Sequence, residues 1–145
     1  MKYYAVIDTN VLVSSMLKRN SLPGKIMDYV VLGKIVPLLN KNILTEYIEV
    51  ISRNGFGFSN ESIEKIKALF NETGIFLERT KTEEIFDDPD DIVFYEIVLT
   101  ARKIDEAYLI TGNKKHFPGK HYVVSPREML DIIEKNDQSN FNQTI

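Results

Sequence analysis

Tyr3-Tyr4-Ala5-Val6-Ile7-Asp8-Thr9-Asn10 is a short apolar, β-favouring run that stops abruptly at an acid, a hydroxyl and an amide. A strand buried on both faces reads as a continuous apolar run, so this one is predicted to lie in the middle of a parallel sheet. In open α/β sheets the ligand crevice lies beyond the carboxyl ends of the strands. Asp8 stands at such an end, where its carboxylate would face the crevice. Capping of the following helix by Asp8, Thr9 or Asn10 accounts for the same residues equally well. The choice falls to acids further along the chain.

Outward from that run, strands and helices alternate. A helix over 11–17 gives way at Lys18-Arg19-Asn20, and Ser21, Pro23 and Gly24 open a second that stops at Gly33. Ile35 to Leu39 reads as a strand, and Asn40 or Asn42 caps a helix over 41–53. A glycine-rich loop carrying Phe56 and Phe58 leads to a helix that begins at Ser59 or Asn60 and ends at Gly74. Strands are predicted at 75–77, 107–111 and 122–124. The helix after Asp91 is apolar nearly all round (Ile92, Val93, Phe94, Ile97, Val98, Leu99, Ala101), as a helix buried on several sides would be. Ser125-Pro126-Arg127-Glu128 starts a last helix reaching about Lys135. Residues 136–145, rich in Asn and Gln, read as a frayed tail. The whole is one three-layer α/β domain over 1–135 with a mostly parallel sheet of four to five strands.

The 145 residues are enough for one real core, burying about 70% of the unfolded surface. No cysteine is present, which excludes thiolate zinc sites, disulfides and cysteine nucleophiles and fits a reducing cytosol. The first apolar run is too short for a signal peptide and no run approaches a membrane span, so a cytoplasmic protein off the membrane is expected. The Asn-x-Ser/Thr triplets at Asn60, Asn71 and Asn142 are then chance matches. Net charge is −3, from 18 basic and 21 acidic side chains. A protein that grips nucleic acid by its phosphates is normally basic. If this one handles a polyanion, its acids must be offset locally, and divalent cations are the obvious means.

Three further stations carry the chemistry. Glu46 borders the apolar arc of its helix (Ile43, Leu44, Tyr47, Ile48, Val50, Ile51), whereas Glu49 points outward. Asp88, Pro89 and Asp91 suit the N-cap, N1 and N3 positions of a helix start. Yet Asp87, Asp88, Asp90 and Asp91 around one proline exceed what capping needs, and so buried a helix should open its first turn towards the crevice. Thr111-Gly112-Asn113 ends the fourth strand; if that strand neighbours the first, its tip lies beside Asp8. The glycine there permits a tight turn and a close backbone approach.

Val6-Ile7-Asp8-Thr9-Asn10, Glu46, Asp88-Pro89-Asp90-Asp91 and Tyr108-Leu109-Ile110-Thr111-Gly112-Asn113-Lys114-Lys115-His116-Phe117, in that order, make the chain resemble the PIN-domain ribonucleases. Within that family it looks most like the toxin components of bacterial toxin–antitoxin pairs. The resemblance implies a strand order of 3-2-1-4-5 and a metal-dependent endoribonuclease acting on single-stranded RNA. It implies Asp8, Glu46 and Asp91 as catalytic, metal-binding carboxylates. Thr9, Asn10, Thr111 and Asn113 would orient ligands or waters, and Glu96 is a further ligand candidate. An antitoxin partner and a homodimer follow from the same likeness. The family's fourth acid usually follows the Thr-Gly pair, where Asn113 stands here; an amide brings no charge, so a second metal site is in question.

The residues themselves argue in the same direction. Two unit charges about 4 Å apart repel by about 4 kcal/mol even at an effective dielectric of 20, so clustered carboxylates make little sense empty. Hard oxygen donors select Mg²⁺ or Mn²⁺. Arg53, Lys114, Lys115 and His116 are candidates for touching the RNA backbone, and Phe56 and Phe58 for stacking, with a solvated or packing role open for each. A phosphatase or phosphoacceptor domain would need a second acid just after Asp8, where Thr9 and Asn10 stand. Gly-rich phosphate loops are missing. The rival from another class is a non-catalytic or weakly active nucleic-acid-binding protein with a degenerate metal site, for which Asn113 speaks.

Overall fold

A computed structural model describes residues 1–144, with side chains as far as residue 138. In chain order it contains β1 (Tyr3–Ile7), α1 (Thr9–Leu17), α2 (Leu22–Val31), β2 (Ile35–Leu39), α3 (Lys41–Ile51), α4 (Asn60–Thr73) and β3 (Ile75–Phe76). There follow a 3-10 turn (Pro89–Asp91), α5 (Ile92–Arg102), β4 (Tyr108–Ile110), a second 3-10 turn (Lys114–His116), β5 (Val123–Val124) and α6 (Pro126–Thr144). The strands form one sheet in the order β3-β2-β1-β4-β5, parallel throughout. This is the α/β sandwich and strand order expected from the sequence.

β1 is central, as its unbroken apolar run requires. It pairs with β2 in the register Tyr3 to Ile35 and with β4 in the register Ala5 to Tyr108. Ala5, Val6 and Ile7 are wholly buried. β2 is also internal yet contains Pro37, which cannot donate to a ladder. The ladder is not broken. The Leu39 carbonyl accepts from Leu77 N on the β3 side, so Pro37, two residues earlier, faces the same way. β3 begins only opposite Leu38, so no partner carbonyl is lost.

Helix starts follow their caps. The Ser21 hydroxyl accepts from Gly24 N at 3.1 Å, the Asn40 side chain from Ile43 N at 2.9 Å, and the Ser59 hydroxyl from Ser62 N at 3.1 Å. At α6, Ser125 and Glu128 form a reciprocal capping box, with Glu128 N donating to the Ser125 hydroxyl and Ser125 N to Glu128 Oε1. Gly33, at φ 78°, takes the left-handed turn that sends the chain from α2 into β2. α5 packs on β1, β2 and β4 and touches α3, and every residue from 94 to 98 is buried.

α6 does not stop near Lys135 but continues to Thr144. No proline or glycine follows Pro126 to end it, and Asp137 on this extension pairs with Lys34 ahead of β2. Of the residues expected to fray, only Ile145 lies outside those described.

Candidate active site

Asp8 occupies the N-cap position of α1 but makes no side-chain cap hydrogen bond. Its backbone N–H donates to the Ile110 carbonyl at 2.9 Å, which brings the ends of β1 and β4 together. Its carboxylate, 8% exposed, accepts from the Thr111 hydroxyl at 2.7 Å. That contact draws the side chain to the β4 tip, while the Thr9 and Asn10 N–H groups at the start of α1 also lie close to the carboxylate. Burial raises the Asp8 pKa, against the Thr111 hydroxyl and the nearby N–H groups of Thr9 and Asn10, which favour the charge.

Glu46 reaches the same place from α3, where its carboxylate accepts a short hydrogen bond from the buried Thr9 hydroxyl. The next residue, Tyr47, is completely buried and donates its hydroxyl to the Ile7 carbonyl. α3 is thus tied to the last residue of β1, one position before Asp8. The sequence placed Tyr47 only in an apolar arc; its anchoring bond spans 40 residues and leaves no local signal. Burial raises the Glu46 pKa, and the charges of Asp8, Asp90 and Asp88 raise it further.

Asp88 does cap the turn that precedes α5, with its side chain accepting from Asp90 N at 2.9 Å. Asp91 does not cap. Its Oδ2 is buried without a hydrogen-bond partner, and His116 Nδ1 stands 3.5 Å away, an ion-pair distance and not a hydrogen bond. Burial first, then the charges of Asp8, Asp88 and Glu46, push its carboxyl up to about 6, with His116 opposing them. Asp91 therefore titrates in the field of Asp8 and Glu46, and Glu46 in that of Asp8. Among the described residues no lysine or arginine forms an ion pair with Asp8, Glu46, Asp88, Asp90 or Asp91.

The β4 tip completes the site. Thr111 is fully buried and its hydroxyl also accepts from Asn113 N at 3.0 Å. Gly112 N donates to Asn10 Oδ1 at 3.3 Å, linking the start of α1 to this turn. A Cβ on Gly112 would meet nothing nearer than Asn10 Oδ1 at 3.5 Å, so the close approach expected of this glycine is not what it supplies. The Asn113 amide contacts His116 Nε2 at 2.9 Å.

Other candidates lie elsewhere. Glu96 is buried facing another way, accepting from Arg79 Nε at 2.7 Å and from Thr82 N at 2.8 Å. It fastens the chain between β3 and α5 and is not brought to the acids. Five positions after Asp91 on a helix is 140° round, which explains the divergence. Lys114 is drawn off by Glu128 at 2.9 Å, supporting the α6 cap. Lys115 is exposed. Arg53 lies beyond the end of α3, about 10 Å along the axis from Glu46. Phe56 and Phe58 stack on each other at 5.6 Å and pack against the core. His116, a candidate for touching the RNA backbone, stands beside Asp91.

Whether these acids suit a metal ion turns on their donors and spacing. The donors are hard oxygens with no lysine or arginine partner among the described residues, their pKa values are raised by burial and, for Glu46 and Asp91, by neighbouring acids, and one oxygen of Asp91 is orphaned. Among the described residues no three acids or histidines stand close enough to grip one ion together. The donors are of the hard-oxygen type that a divalent cation takes, but their spacing among the described residues forms no metal site.

Residues 4–115 match the family model of the PIN domain, a stretch that takes in Asp8, Glu46, Asp91, Thr111 and Asn113. The uncharacterized protein MJ1680 of Methanocaldococcus jannaschii is 31% identical over 118 residues, covering 79% of this chain and 73% of its own length. PIN domains are generally nucleases and usually bind divalent metals.

Proposed function

Because this chain belongs to the PIN-domain family, whose members are generally nucleases, we propose that it is a Mg²⁺- or Mn²⁺-dependent endoribonuclease cleaving single-stranded RNA. One observation carries the reading: Asp8, Glu46 and Asp91, from three separate elements, share one electrostatic site with no lysine or arginine pairing to them among the described residues. Left empty, such a site repels both itself and a phosphodiester.

Asp8 and Asp91 would be the principal ligands, with Glu46 acting directly or through a bound water. A dication held by these carboxylates would supply charge neutralisation at the scissile phosphate and a more acidic water. The chain's own hydroxyls do the positioning. Thr111 fixes Asp8 Oδ2. Thr9 holds Glu46, and Asn10 ties the α1 start to the Gly112 turn. Asn113 and His116 brace one another beside Asp91, where His116 can neutralise charge when protonated.

The resemblance further supports a role as the toxin of a toxin–antitoxin pair, in the cytoplasm, held by a protein antitoxin and paired as a homodimer. No helix among the described residues is long and apolar enough to cross a membrane, which is consistent with that reading. A second reading, a nucleic-acid-binding PIN protein without cleavage, is favoured by Asn113 where the family usually carries an acid.

Incubating wild type and Asp8→Asn with labelled single-stranded RNA, with Mn²⁺, Mg²⁺ or EDTA, separates the two. Cleavage by the wild type that needs metal and is lost in the variant is the expected result. Binding without cleavage in every arm would overturn it in favour of the second reading. Growth arrest on expression, relieved in Asp8→Asn, tests the toxin role.

A further inference from the structure

Beyond the carboxyl ends of β2 and β3, at the start of α3, lies a cavity of about 570 Å³. Its lining includes Lys41, Asn42, Asn71, Phe76, Glu78 and Arg79. The volume is that of a small-ligand site; of its lining, Asn40 is already engaged in the α3 cap and Arg79 Nε in the Glu96 pair.

Several of the lining groups keep an unspent interaction. Phe76 is 43% exposed, an aromatic ring left in water at the sheet's edge. Arg79 is held through Nε by the buried Glu96, while its terminal nitrogens have no hydrogen-bond partner among the described residues. A guanidinium fixed by its inner nitrogen presents its remaining donors already oriented, the geometry that suits a phosphate. Lys41 has no ion pair among the described residues, and the two cations outnumber Glu78. Asn42 and Asn71 are exposed. Asn42 is four residues before Glu46, so the two share one face of α3 with Cβ atoms about 5–6 Å apart. One side of α3 thus looks onto the acids and the cavity together.

We propose that this cavity is a nucleotide subsite, which binds the residue of single-stranded RNA next to the cleaved phosphate. The Phe76 ring stacks on its base. Arg79 and Lys41 hold its phosphate, and Asn42 and Asn71 meet the base edge. The assignment rests on the ribonuclease reading above and adds to it the cation that the acid site lacks.

The test is titration of a fluorescein-labelled single-stranded RNA of about ten nucleotides, followed by anisotropy in Ca²⁺, together with steady-state cleavage in Mn²⁺. Phe76→Ala, Lys41→Ala and Arg79→Gln are compared with wild type, and melting curves establish that each variant is folded. Loss of one stacked base should weaken binding about tenfold in Phe76→Ala. KM should rise with kcat little changed. Lys41→Ala and Arg79→Gln should each lower the slope of log affinity on log salt, by at most about 0.7, the value for the one single-strand phosphate they share. If wild type binds and cleaves RNA while folded Phe76→Ala and Lys41→Ala keep its affinity and salt slope, the subsite is overturned and the nuclease stands. If wild type neither binds nor cleaves, both fall.

Discussion

Thr111 donates its hydroxyl to Asp8 Oδ2 at 2.7 Å, across 103 residues of sequence. Because the same hydroxyl accepts from Asn113 N, it couples the acid at the end of β1 to the turn after β4. Thr111→Val keeps the shape and removes both bonds. Stability should fall by about 1–3 kcal/mol in urea titrations, since buried polar groups lose their partners. The Asp8 carboxyl should titrate still higher, and Mn²⁺ affinity should drop.

Asp91 gives a pH dependence of definite sign. Its carboxyl titrates near 6 in the folded protein against 3.8 as its ordinary value. Between those values the folded state holds the proton more tightly than the unfolded chain, so this group's contribution to stability is lost as pH rises through 6. Metal-free wild type should therefore melt lower at pH 7.5 than at pH 5 relative to Asp91→Asn, by at least about 2–4 °C. Mn²⁺ should raise the wild-type Tm at pH 7.5, do so weakly at pH 5, and leave Asp91→Asn almost unmoved.

Two glutamates should respond in opposite ways. Glu96→Ala leaves Arg79 and Thr82 N without their shared acceptor and should cost about 1–3 kcal/mol. Glu46→Gln removes a charge from a mutually repelling group and should leave the metal-free protein as stable or more so. Its RNA cleavage should nevertheless be lost. Thermal melts and a cleavage assay on the same preparations check both.

Asn113→Asp restores an acid at the β4 tip. It should bind Mn²⁺ more tightly by calorimetry and be less stable without metal, because a further negative charge joins Asp8 and Asp91. Unchanged affinity would mean that position 113 does not reach the ion.

What could be read from the sequence was whatever depends on near neighbours. The Asp88 cap, the Ser125–Glu128 box and the Gly33 turn each act within a few residues, and each stands as expected. β1 was recognisable because burial on both faces leaves a continuous apolar run. Interactions between distant residues were not visible. Nothing local reveals that Glu96 is claimed by Arg79, or that Lys114 is claimed by Glu128. The extension of α6 was missed for a similar reason: an Asn- and Gln-rich stretch is a weak helix former alone, and Asp137 is secured by Lys34, which is remote in sequence.

The two-residue length of β3, with Pro37 in the strand beside it, bears on how the molecule behaves in a crowd. An outermost strand is where foreign chains add on, and its open backbone groups template fibril growth. Here that rim offers too few such groups to seed a neighbour, even though Ile75 and Phe76 are greasy and in contact with water. The protein can keep a sticky surface at its border without inviting aggregation.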